Sequence, residues 1–96
     1  MSYESEADVP RSAYRHNIDS EDAVHVTRNA VVVVEEVGQD PTRYLVLGTD
    51  RVGNLLEVVV MDRPQGPAVI HSMPMQAKYR VLLEERKYRA LLKEGT

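Results

Sequence analysis

Ninety-six residues, 43% of them hydrophobic, suffice for one domain with a single core and are too few for two. The chain has no cysteine, which excludes disulfides, thiolate chemistry and cysteine-ligated zinc and fits a reducing compartment. Twelve Lys and Arg against 15 Asp and Glu give a net charge of -3, which disfavours a phosphate-rich partner for the chain as a whole.

That charge is unevenly spread. Three of the acids, Glu4, Glu6 and Asp8, fall in the first nine residues, which lack aliphatic periodicity and read as a disordered acidic tail. Residues 10–96 then read as one near-neutral domain. The N-terminus has no basic start leading into an apolar core, and no apolar run approaches bilayer length. Neither a signal peptide nor a membrane span is expected, and the cytoplasm is the expected location.

In chain order, Arg11 to His16 can form one or two helical turns, with Ala13 and Tyr14 available to pack. Ile18, Asp19 and Ser20 supply an apolar residue and a cap, Glu21 and Asp22 place acids in the first turn, and Arg28 closes the last turn. A helix over Ser20 to Arg28 follows, with Ala23, Val24 and Thr27 on one face and His25 and Asp22 turned elsewhere, His25 toward solvent. Ala30 to Val37, with four consecutive valines, reads as a strand buried on much of both faces. Strands are also expected over Arg43 to Leu47, Asn54 to Asp62 and Ala68 to Ser72, with Gly48 to Asn54 as a loop. The third strand alternates Leu55, Glu57, Val59 and Met61 against Leu56, Val58 and Val60. Short connections imply an antiparallel meander.

Pro74 sits where a helix tolerates proline in its first turn, so a final helix is expected from about Met75 to Lys93. Met75, Tyr79, Leu82, Leu83 and Ala90 form a stripe suited to cover the sheet. Val81, Tyr88 and Leu92 lie on another side, more apolar surface than one sheet contact needs, and mark a partner interface unless the N-terminal helices pack there. Lys78, Arg80, Arg86, Lys87, Arg89 and Lys93 outnumber Glu84 and Glu85, so this helix is locally basic. His71 falls between the fourth strand and the helix, a setting that suits an anion or a simple cap.

The order of two short N-terminal helices, a four-stranded antiparallel meander and a C-terminal helix packed on the sheet defines an α+β class. With RHNIDSEDAVHV, RYLVLGTDRVGNLLEVVV and AVIHSMPMQAKYRVLL, it resembles the BrnT-type toxins within the RelE/ParE-like toxin group. Arg15, His16 and Ile18 match the first block of that family, with Asn17 in place of glycine. Arg43, Gly48 and Gly53 match the second. In the third, His71 and Ser72 stand near the family's Ser and Ala, Arg80 is kept, and Met73 and Tyr79 replace an arginine and an acid.

The resemblance implies the toxin of a type II toxin–antitoxin pair, a ribonuclease acting on messenger RNA and neutralised by a cognate DNA-binding antitoxin. Metal-independent RNA cleavage needs a base for the ribose 2′-hydroxyl, cations for the phosphorane and an acid for the leaving oxygen. His71, Arg80, Arg43 and His16 are the catalytic candidates, and Arg15, Lys78 and Tyr79 the RNA-binding ones. No cofactor is expected, and three scattered histidines without ligand spacing argue against a metal. Each residue also has a plainer role. His71 can be a structural hydrogen-bonding residue, Arg43 can guard a strand edge or pair with Glu57, and Tyr79 can be core with its hydroxyl at the rim. The competing class is a non-catalytic interaction module of the same fold, binding a partner or a second copy as a homodimer.

Overall fold

The computed structural model describes residues 18–94. The element order is α1 (Ser20–Arg28), β1 (Val32–Glu36), β2 (Arg43–Thr49), β3 (Leu55–Arg63), β4 (Gly66–Pro74), a 3-10 turn at Ala77–Tyr79 and α2 (Arg80–Glu94). The acidic tail and the expected first helix, with Arg15 and His16, lie outside the described residues. The fold is α+β, with one antiparallel sheet in the order β1-β2-β3-β4 and a C-terminal helix. None of the described helices is long and apolar enough to cross a membrane.

Helix α1 forms over the residues its capping pattern indicates. Asp19 is the N-cap, its carboxylate accepting the Glu21 amide at 2.8 Å, and Asn29 closes the other end on the His25 carbonyl. Its buried residues are Ala23 and Val26, so Val26 rather than Val24 centres the inner face. These two pack on Val46, Leu56, Val58, Val60 and Val69, the core of the domain.

Gly48 belongs to β2 and not to the loop after it, because the hairpin closes through Asp50, whose backbone amide donates to Asn54 and whose carbonyl accepts from Gly53. A Cβ at Gly48 would stand 3.3 Å from Val26 Cγ1 and 3.4 Å from the Asn29 carbonyl. The missing side chain is what lets α1 lie directly on β2.

The same hairpin is tied to the start of α1. The Arg51 backbone amide and Nε both donate to Asp22 Oδ1, at 3.1 and 2.8 Å, and Nη1 donates to Glu21. Arg51 holds the Asp22 carboxyl below the usual range and is itself held more firmly protonated. His25 is not turned to solvent. Its Nδ1 lies 2.9 Å from the Thr49 carbonyl and donates to it, since a carbonyl only accepts.

Three expected boundaries move for identifiable reasons. β1 is shorter than Ala30 to Val37 and is not buried on both faces: it has only β2 beside it, and Val33 is 57% exposed. β4 is longer than Ala68 to Ser72, and Pro74 is its last residue, not the first turn of a helix. Proline is tolerated there because β4 is an edge strand whose outer face needs no donor. The helix begins late, at Arg80 after the 3-10 turn, because Gln76 is extended and its amide is engaged by Glu57.

Two consequences are measurable. Gly48→Val should cost about 1–3 kcal/mol by forcing α1 off β2, read as a lower urea midpoint; parental stability would show that the approach is not tight. Because the Asp22 value is depressed in the fold, its contribution is present above the ordinary carboxylate range, roughly pH 4, and is lost as pH falls through the depressed value. Arg51→Met should therefore lower the melting temperature at pH 7, and the gap from the parent should narrow under acid and in high salt.

Candidate functional site

β3 reads LLEVVV, and the alternation that sends Leu56, Val58 and Val60 into the α1-facing core sends Glu57 to the other face. There Glu57 sits between Leu47 on β2 and Met73 on β4. It is only 2% exposed. A carboxylate this enclosed is costly unless donors surround it.

Three donors do. Gln76 gives its backbone N–H to Oε1 at 2.8 Å and its side-chain amide to Oε2 at 3.0 Å, and His71 Nε2 lies 2.9 Å from Oε2. Both Gln76 groups can only donate, so the carboxylate is the acceptor throughout and the His71 proton sits on Nε2. Nδ1 has no protein partner among the described residues. His71 is a quarter exposed, so the ring joins an enclosed carboxylate to the protein surface.

His71 reaches this face because of one extra residue. Val60 pairs with Val69 while Val59 pairs with His71, leaving Ile70 as a bulge in β4. Strict alternation from Val69, which faces the α1 core, would put residue 71 on that same core side. The bulge turns His71 over to the face of Glu57.

Around the Glu57–His71 pair the other candidates are distributed unequally. Lys78 and Tyr79 occupy the turn that follows Gln76, with the Lys78 ammonium 5.1 Å from the Tyr79 ring centroid. Tyr79 is half-buried in that turn and so is not part of a continuous helical stripe. Arg80 is exposed at the head of α2, outside the hydrogen bonds of His71. Arg43 does not pair with Glu57: the register sets it opposite Met61 and Glu36, and its Nε is enclosed without a partner among the described residues. It shares the His71 face, two strands and two residues away, about 12 Å between backbones. Val81 is 60% exposed, while the side chains of Tyr88 and Leu92 lie outside the described residues.

Sequence reasoning named His71 and missed its partners. The available signal was Glu57 itself, one acid on the inward alternation of an apolar strand, which demands a donor from somewhere. Neither protein-family models, nor curated proteins, nor solved structures match this chain.

The arrangement can hold an imidazole in one tautomer and steady it through a change of charge, presenting Nδ1 for a proton transfer. Long-range nitrogen–proton spectra at neutral pH should show the Nε2–H tautomer for His71; the Nδ1–H form would mean that the hydrogen bond to Glu57 is absent. Glu57→Ala strands the Gln76 and His71 donors and should cost about 3 kcal/mol, measured by chemical denaturation.

Proposed function

We propose that the chain is the toxin of a type II toxin–antitoxin pair, a RelE/ParE-like fold of BrnT type that cleaves RNA without a metal. The observation that supports this reading is the His71–Glu57 hydrogen bond at 2.9 Å beneath a surface-facing imidazole. A base is useful when its ring is fixed and one nitrogen is left free to face the substrate, and the hydrogen bond to Glu57 provides both.

In this reading His71 Nδ1 takes the ribose 2′-hydroxyl proton as that oxygen attacks the adjacent phosphorus and the bond to the 5′-oxygen breaks, the leaving oxygen taking its proton from water, and Glu57 is a positioning residue that stabilises the imidazolium formed. Arg80 and Lys78, both exposed beside the turn at Gln76, supply charge for the phosphate, and the Tyr79 ring offers a stacking face. Arg43, whose Nε has no partner among the described residues, is a further cation for the phosphorane. Arg15 and His16 remain candidates carried by the resemblance. The cognate antitoxin would cover the exposed side of α2 around Val81.

A second reading, a non-catalytic interaction module, is favoured by the exposure of Val33, Val37, Val52 and Val81. Induced expression distinguishes the two. The parent should arrest growth and degrade RNA. His71→Asn should lower cleavage about 10²–10⁴-fold with the fold retained by circular dichroism, and Arg80→Ala should weaken RNA binding more at low salt than at high. Full toxicity of His71→Asn at parental expression would remove the ribonuclease site and leave the interaction module.

A further inference from the structure

The two edges of the sheet are built differently. β4 carries Pro67 and Pro74 near its ends and the Ile70 bulge between them, devices that prevent another strand from adding. β1 has no proline and no register shift against β2 over Val32–Glu36. Its Val33 and Val34 are 57% and 37% exposed, and its only charges, Glu35 and Glu36, are confined to one end. A groove of about 330 Å³ runs along Val31 to Val34, closed on its other side by Leu82, Glu85, Arg86 and Arg89 of α2.

We propose that this edge pairs with a second copy of the chain, β1 against β1 in antiparallel order, joining two four-stranded sheets into one. A twofold axis perpendicular to the sheet keeps each residue on its own face, so facing residues must share a face and the register is restricted. Centred on Val33, it sets Val33 opposite its own copy and Val34 opposite Val32, and carries Glu35 and Glu36 past the start of the copy's β1, alongside Val31 and Ala30. The acids of the two copies then lie at opposite ends of the seam, whereas a parallel arrangement would stack them.

The charge of the groove fits this occupant. Glu36 shares the face of Arg43, its cross-strand neighbour, and so of Glu57, whose oxygens hold Gln76 at the approach to α2. α2 therefore crosses that face, and its Arg86 and Arg89 border the groove into which Glu36 of the second copy is carried. Arg89 already takes one acid, Glu85, at 2.6 Å. One acid against two arginines leaves room for the incoming glutamate. This assembly is independent of the ribonuclease reading.

The chain has no cysteine, so a single one reports the axis cleanly. Val33→Cys should give a disulfide-linked dimer under mild oxidation, because facing Cβ atoms across such a pair are about 4.5–5.5 Å apart. Val52→Cys, 82% exposed on the hairpin loop, should not. By sedimentation velocity the parent should reach a dimer with concentration, and Val33→Arg, which sets two guanidinium groups opposite each other, should remain a folded monomer. A parent that stays monomeric at every concentration overturns the proposal and leaves the edge to a different protein. A dimer in which Val33→Cys links no faster than Val52→Cys overturns it as well, by placing the contact on another face.

Discussion

A carboxylate enclosed in an apolar sheet has to be met by donors, and Glu57 is met by three from two residues. That single requirement organises one whole face of the domain. Gln76 must follow Pro74 in an extended conformation to reach both oxygens, so the C-terminal helix cannot begin until the 3-10 turn has passed. His71 must lie on the same face, and the Ile70 bulge places it there. A buried carboxylate held by hydrogen bonds is a weak source of stability compared with apolar packing, because desolvation offsets much of the attraction. Its value here is geometric: it fixes the ring, the turn and the helix start relative to one another.

The opposite face follows different physics. Apart from Ser72, buried opposite Val58, its centre is apolar, and it is held by close approach, α1 resting on β2 where Gly48 has no side chain to intervene. The ends of that contact are pinned by charge, with Arg51 of the hairpin gathering Asp22 and Glu21 from the first turn of α1. Because these groups are largely exposed, water and salt screen them, and they direct α1 more than they stabilise it. One face can therefore tolerate a polar centre because the other supplies the larger apolar cluster.

The edges add a third constraint. A sheet of four strands has two unpaired sides, and only the β4 side carries proline and a bulge. The β1 side, with its run of valines beside the basic flank of α2, is left open to a strand. The imidazole stands on β4, with the open edge at the far side of the sheet. A partner strand on β1 would leave His71 uncovered.

What the sequence determined by itself is the local order. Capping chemistry set α1 at Ser20–Arg28, since a short polar residue followed by two acids satisfies a helix start without outside help. Alternation in LLEVVV divided β3 between its two faces, and short turns made the sheet an antiparallel meander, because two-sided periodicity and loop length are properties of neighbouring residues. Only the tertiary structure decided which donors meet Glu57, that His25 turns inward to Thr49, that Gly48 is a packing surface instead of a loop residue, and that the valines of β1 lie at an open edge. The physical reason is common to all four. A bulge, a helix approach and a strand's place in the sheet are set by residues distant in sequence, and one inserted residue such as Ile70 reverses the face of those after it without leaving any periodic trace.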